Sequence, residues 1–274
     1  MLPHKHTKEG VLNEKLALKK LLTYMKSVYK IPQKIKCLTD ERKRKSIPLF
    51  NIVMPVLLFL MLQYESFHTI FSAPESMSKR LKNCISGRIP KVDAVRDLLS
   101  RINPDEIRSI HEEMIDIIKR NRVFREGTIG GYVVAGLDGV ELFSSTKKSC
   151  PNCLSRKKHT GETEYFYRSV VCMIIGKSPH VILGQEMLKP RDGSGKDEGE
   201  LTGGKRLIER LKKRHGHFAD VIVADALYLN APFINTLKEN GLEGVIRLKD
   251  ERRMIFQDAE RLFKQDEGKK ASFW

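Results

Sequence analysis

Val221-Ile222-Val223-Ala224-Asp225-Ala226-Leu227-Tyr228 decides how this chain is read. Four small or β-branched apolar residues run straight into an aspartate. A short apolar run that ends in a turn predicts a strand, buried on both faces of a covered sheet. Its carboxylate then falls at the strand's C-terminal edge, where open α/β sheets place their ligands. Tyr132-Val133-Val134-Ala135-Gly136-Leu137-Asp138-Gly139 has the same form. Two such strands side by side would set two carboxylates at one rim. Hard oxygen donors of that kind suit magnesium or manganese.

Working outward from these two runs, the chain changes character near Gly127-Thr128-Ile129-Gly130-Gly131. Before it, apolar residues recur at helical spacing. Residues 12–25, the Phe50 region, residues 92–99 and a helix opened by Asn103-Pro104-Asp105-Glu106 all carry that period. The last of these is expected to turn Ile107, Ile110, Met114, Ile117 and Ile118 to one face. Residues 1–123 therefore predict an all-helical, basic domain, and residues 124–274 an α/β domain. In the second part Val133–Leu137 predicts a strand and Val140–Ser144 its hairpin return across Asp138-Gly139. Strands over 165–176 and 181–187 follow. A polar Gly-rich loop (189–200), a basic helix (201–214), the central strand, a helix (230–240) and a last strand (244–248) complete the order. This predicts a mixed sheet with flanking helices.

The chain has 274 residues, a net charge of +16 and 41% hydrophobic residues. That content supports a real core and argues against wholesale disorder. The charge favours an anionic partner, nucleic acid first. Residues 1–50 hold thirteen Lys and Arg against four acids, so nine of the sixteen net charges lie there. Glu41-Arg42-Lys43-Arg44-Lys45 reads as a solvated loop, with Lys43, Arg44 and Lys45 as candidate phosphate contacts. Lys189, Arg191, Lys205 and Arg206 are further candidates, on the Gly-rich loop and the basic helix.

Five cysteines do not form a disulfide framework in so long a chain and suggest a reducing, cytoplasmic setting. No signal peptide is expected from MLPHKHTKEG. The apolar run 49–62 contains Asn51 and Pro55 and falls short of the roughly 20 residues a membrane span needs. It predicts a buried core helix. Cys150-Pro151-Asn152-Cys153 is compatible with a tight turn bearing thiols, or with half of a zinc site completed by His159 and Cys172. Asp192-Gly193-Ser194-Gly195 lacks the spacing and the Lys-Ser/Thr ending of a nucleotide-binding loop.

An aspartate ending a strand is, by itself, an ordinary cap or turn residue. The pair, in this element order, resembles the ribonuclease H-like core of DDE transposases. Gly136-Leu137-Asp138-Gly139 is similar to the first catalytic block of insertion-sequence transposases of the IS-four type. Asp225-Ala226-Leu227-Tyr228 is similar to the second, an aspartate, then Gly or Ala, then an aromatic two residues later. The resemblance covers roughly residues 90–250, and more weakly the basic N-terminus. It implies that Asp138 and Asp225 are catalytic and ligate Mg²⁺ or Mn²⁺. Two ions about 4 Å apart would activate a water or 3′-hydroxyl and stabilise the leaving oxygen. It implies DNA as partner, at element ends and target, a nucleoid-associated setting and a homodimer in a synaptic complex. The family's third acid lies in a Tyr-x2-Arg-x3-Glu-x6-Lys pattern, and that pattern does not occur here. The expectation is thus a transposase truncated at the C-terminus and lacking its third catalytic acid. The competing readings are a non-catalytic DNA-binding remnant and a stand-alone metal-dependent nuclease.

Overall fold

The computed structural model describes residues 19–61, 63, 90–126, 128–176, 179–191, 196–249 and 254–265. The helical pattern before residue 19, the continuation of the apolar helix to residue 72, the basic stretch 72–89 and Asp192–Gly195 lie outside the described residues. The chain divides into two compact units, Met1–Ile117 and Ile118–Trp274.

Among the described residues the elements of the first unit are helices. Residues 19–27 are followed by α1 (Ile31–Lys36), α2 (Phe50–Met61), α3 (Val92–Leu99) and α4 (Pro104–Arg120), which runs across the division. Helix α2 is apolar nearly all round and so is a core element. Its Ile52, Leu58 and Phe59 are almost fully buried and pack with Met25, Ile35, Val95 and Leu98. No helix among the described residues is long and apolar enough to cross a membrane. Asn103 caps α4 as its position predicts, its Oδ1 accepting from Asp105 N at 2.9 Å. The face differs from expectation, for Ile107 is 41% exposed whereas Ile115 is buried. The basic run before α2 is not uniformly solvated either. Arg42 is buried, its guanidinium held by both Asp40 oxygens and by the Ile47 carbonyl. Burial of this one cation is tolerated because its charge is paired and its partners lie within five residues.

The second unit is mixed α/β. After a short α5 (Val123–Glu126) come β1 (Val134–Ser145), β2 (Leu154–Lys157), β3 (Thr163–Ile174) and β4 (Val181–Met187). Then α6 (Glu200–His215), β5 (Val221–Ala224), α7 (Ala231–Glu239), β6 (Glu243–Ile246) and α8 (Met254–Gln265) follow. The six strands form one open sheet in the order β2-β3-β1-β5-β6, with β4 also on β3. Pairing is antiparallel among β1 to β4, and β5 and β6 run parallel to β1. Each parallel strand is reached through a helical crossover, α6 before β5 and α7 before β6, as parallel pairing requires.

Two expectations are corrected here. The hairpin across Asp138-Gly139 does not form. β1 is one strand of 12 residues, paired from Ala135↔Ile174 to Ser145↔Tyr165 on β3. Asp-Gly carries a local turn preference, but ten backbone pairings with β3 outweigh it. Nor is β5 buried on both faces: Ile222 and Ala224 are buried while Val221 and Val223 are half-buried. The long strand over 165–176 is present as β3, and 181–187 is β4. The helix α8 corresponds to no element expected from the sequence.

Helix α6 lies close on the sheet. Leu207, Ile208 and Leu211 are fully buried, as their spacing predicts. The approach depends on small residues: a Cβ on Gly204 would sit 3.0 Å from a Tyr228 ring atom and 3.3 Å from Leu137 Cδ2. The other side of α6 is clamped by charge. Arg206 donates to Glu186, Glu198 and the Met187 carbonyl, and Arg210 donates to Glu186 and the Gln185 carbonyl.

Candidate active site

Register places the two aspartates. β1 and β5 pair in parallel from Val134↔Val221 to Leu137↔Ala224. Asp225 continues β5 in extended conformation (φ −76°, ψ 177°). The next pair of positions is therefore Asp138 and Asp225, on neighbouring strands about 4.8 Å apart. The register is pinned at the other end of the pair. Asp220 N donates to the Val133 carbonyl at 2.8 Å, and the Asp220 carboxylate accepts from Val133 N at 2.6 Å. His217 Nε2 lies 2.9 Å from the second Asp220 oxygen.

Both aspartates are exposed, and each engages one oxygen locally. Asp138 Oδ1 accepts from Gly139 N at 2.8 Å. Asp225 Oδ1 accepts from Leu227 N at 3.0 Å and caps the 3₁₀ turn Ala226–Tyr228. The capping role considered for a strand-end aspartate is thus real at Asp225, and it leaves the carboxylate at the sheet rim.

A further carboxylate, Glu200, lies near Asp138 but on the opposite face of β1, and sequence reasoning missed it. Glu200 is the first residue of α6, with its side chain 14% exposed. It packs against the β1 backbone just past Asp138: a Cβ on Gly139 would overlap the Glu200 carboxyl group. Arg168 Nη1, from β3, pairs with Glu200 Oε1 at 2.9 Å. Burial raises the Glu200 carboxyl above its ordinary range; Arg168 opposes this, and Asp138 and Asp225 reinforce it. The nearest hint in the sequence was an acid opening a helix, which alone reads as a favourable dipole contact.

Two polar groups here lack hydrogen-bond partners. Tyr228 is fully buried with its ring 4.9 Å from Phe233, and its hydroxyl is unpartnered. Burial, then the charges of Glu200, Asp138 and Asp225, drive its phenol well above the ordinary value. Arg168 Nε is also buried and unpartnered. A buried unpaired polar group costs about 1–3 kcal/mol, so such atoms mark places where a ligand can offset burial.

As the side chains stand, no three His, Cys, Asp or Glu residues among the described ones are grouped to hold a metal ion. The chemistry of the donors nevertheless suits a hard divalent cation. The two adjacent carboxylates offer only anionic oxygen.

The remaining candidates are dispersed. Lys43, Arg44 and Lys45 are exposed in the first unit. In the second unit, Lys189 and Arg191 are exposed on the loop between β4 and α6, and Lys205 is half-buried on α6. The Arg206 guanidinium is engaged by Glu186, Glu198 and the Met187 carbonyl. The reason is tertiary, since Glu186 comes from β4, across the packed face of α6.

Cys150 and Cys153 lie 2.9 Å apart at sulfur, and Cys150 is 2.6 Å from the Tyr167 hydroxyl. The bonds to Cys153 and then Tyr167 lower the Cys150 thiol. Cys172 is fully buried within β3, where burial pushes its thiol up to about 12. No third metal-binding side chain joins the Cys150–Cys153 pair among the described residues, so the zinc set with His159 and Cys172 is not assembled there.

Fold and site together define a mixed α/β protein with two neighbouring carboxylate positions, Asp138 within β1 and Asp225 just past the end of β5. No protein-family model matches the chain, and no curated protein matches it.

Proposed function

We propose that this chain is an insertion-sequence transposase of the DDE type, with a ribonuclease H-like catalytic core in its second unit. The observation that carries the reading is the β1–β5 register, which sets Asp138 beside Asp225 at one rim. Mg²⁺ or Mn²⁺, when bound, supplies activation of the attacking hydroxyl and stabilisation of the leaving oxygen. Asp138 and Asp225 present the anionic oxygens that would hold it. Asp220 keeps their strands in step, and Tyr228 closes the rim from the buried side. The charge of +16 supports DNA as the substrate, with residues 1–123 as an end-binding region and Lys43, Arg44, Lys45, Lys189, Arg191 and Lys205 as phosphate contacts. A synaptic homodimer belongs to the same proposal.

The second reading is a DNA-binding remnant that no longer cleaves. What favours it is that no three acids among the described residues are grouped for a metal. A nicking assay on end-containing DNA separates the two. Mn²⁺-dependent cleavage lost in both Asp138→Asn and Asp225→Asn supports the transposase. Salt-sensitive binding without any cleavage supports the remnant.

A further inference from the structure

We infer that Cys150 and Cys153 form a redox-active dithiol, a site of thiol–disulfide exchange with small-molecule disulfides, at which Cys150 attacks and Cys153 resolves. The inference stands apart from the transposase reading and from the carboxylates of β1 and β5.

Three observations carry it. The first is the turn between β1 and β2. Cys153 N donates to the Cys150 carbonyl at 3.1 Å, closing a turn with Pro151 and Asn152 at its corners. Pro151 favours this turn because its ring presets the backbone angle of the first corner. Such a turn holds its end Cα atoms within about 7 Å, and a disulfide spans about 4.4–6.8 Å. Both thiols are free and within hydrogen-bond distance of each other, so joining them asks for little movement of the chain. The second is the asymmetry of the pair. The Tyr167 hydroxyl, from β3, lies 2.6 Å from Cys150 Sγ and can donate to its thiolate. The bonds to Cys153 and then Tyr167 lower the Cys150 thiol, whereas the bond to Cys150 raises that of Cys153. One sulfur is favoured as thiolate while its neighbour keeps its proton, which divides the pair into an attacking and a resolving thiol. The third is access. Cys150 and Cys153 are half-buried beside exposed Pro151 and Asn152, whereas Cys172 is fully buried. No third His, Cys, Asp or Glu among the described residues joins the pair to close it off as a structural metal site.

The Cys150 thiolate attacks one sulfur of a disulfide RSSR and expels RS⁻, leaving a mixed disulfide on Cys150. Cys153 then attacks the Cys150 sulfur, expels the second RS⁻ and closes the Cys150–Cys153 bond. Two protein thiols are oxidised, RSSR is reduced to two RSH, and both thiol protons end on those products. The test exposes the full chain to oxidised glutathione, quenches it with acid, alkylates it and weighs the tryptic peptide 149–156, which holds both residues. That peptide is expected to escape alkylation and to lose two hydrogens, and dithiothreitol should reverse both changes. Cys153→Ser should stop at the mixed disulfide, with glutathione trapped on Cys150 ahead of exposed Cys37. Tyr167→Phe should slow alkylation of Cys150 at neutral pH about fivefold or more. A wild-type peptide that stays fully alkylated in excess oxidised glutathione would overturn the inference. So would zinc that purifies with the chain and shields both thiols until it is chelated. Trapping on Cys37 ahead of Cys150, or unchanged alkylation in Tyr167→Phe, would overturn the assigned roles. Should either variant fail to fold, the wild-type peptide decides alone.

Discussion

Glycine 139 shows how much a single hydrogen atom decides at this rim. Its backbone is not in the left-handed region, so alanine is conformationally acceptable there. The obstacle is steric: the new Cβ would overlap the Glu200 carboxyl. Because that carboxyl ends a flexible side chain, Gly139→Ala should cost only about 1 kcal/mol of stability. Thermal melting of the variant checks this, and a much larger loss would mean that the Glu200 carboxyl cannot move aside. Tyr228→Phe makes the complementary case. Removing an unpartnered buried hydroxyl should leave the melting temperature unchanged or raise it. If the hydroxyl serves a ligand, end cleavage should fall in that same variant. The cysteines offer a third residue-scale readout. Alkylation at pH 8 should label Cys150 well before Cys172, since one thiol is stabilised as thiolate by its neighbours and the other is buried and resists ionisation. Mass mapping of the labelled peptides would show the order.

At the scale of elements, α6 is held on the sheet by charge as well as by apolar contact. Glu198 is 5% exposed; although burial opposes ionisation, Arg206 and the Lys189 N–H hold its carboxyl below the ordinary range. A carboxyl depressed in the folded state stabilises the fold above its unfolded value, near 4.3. That contribution is lost as pH falls through the lower folded value. Arg206→Met strands Glu198, while Glu186 keeps Arg210, and should cost about 3 kcal/mol at neutral pH. The loss should shrink on acidification, as Glu198 becomes protonated in the folded protein. Denaturation of both proteins across pH 3–7 would show the convergence, and a gap independent of pH would assign the cost to packing instead. DNA affinity should be unaffected by this variant, since the Arg206 guanidinium is already occupied.

For the molecule as a whole, the charge of +16 predicts binding to DNA that weakens steeply with salt. Removing one cation that neutralises a phosphate should flatten the slope of log K against log salt by about 0.9. Replacing Lys43, Arg44 and Lys45 together by Gln should reduce it by roughly 3, read by fluorescence anisotropy. An unchanged slope would remove that run from the interface.

Much of this arrangement was legible in the residues themselves. The apolar run Val221–Ala224 closing on Asp225, the long alternating stretch that became β3, and the inward Leu207, Ile208 and Leu211 of α6 are local patterns whose period the backbone obeys. So is the Asn103 cap. Asp138 was legible as a candidate, but its setting was not. Asp-Gly favours a turn locally, and only pairing with β3 kept β1 straight through it. The ion pairs of Glu200 and Arg206 were not legible for a related reason. Each sits in a polar, charged stretch that looks solvated along the chain, and each meets its partners across a helix–sheet contact that no spacing encodes. The sequence by itself pointed to most of the strands and helices, though not to β2, α8 or an unbroken β1, and to two apolar runs that close on carboxylates, because periodicity and apolar content act over a few residues. Only the tertiary structure decided that Asp138 lies beside Asp225 and that Arg206 is engaged by Glu186 and Glu198, because those outcomes depend on strand register and on how closely α6 can approach the sheet.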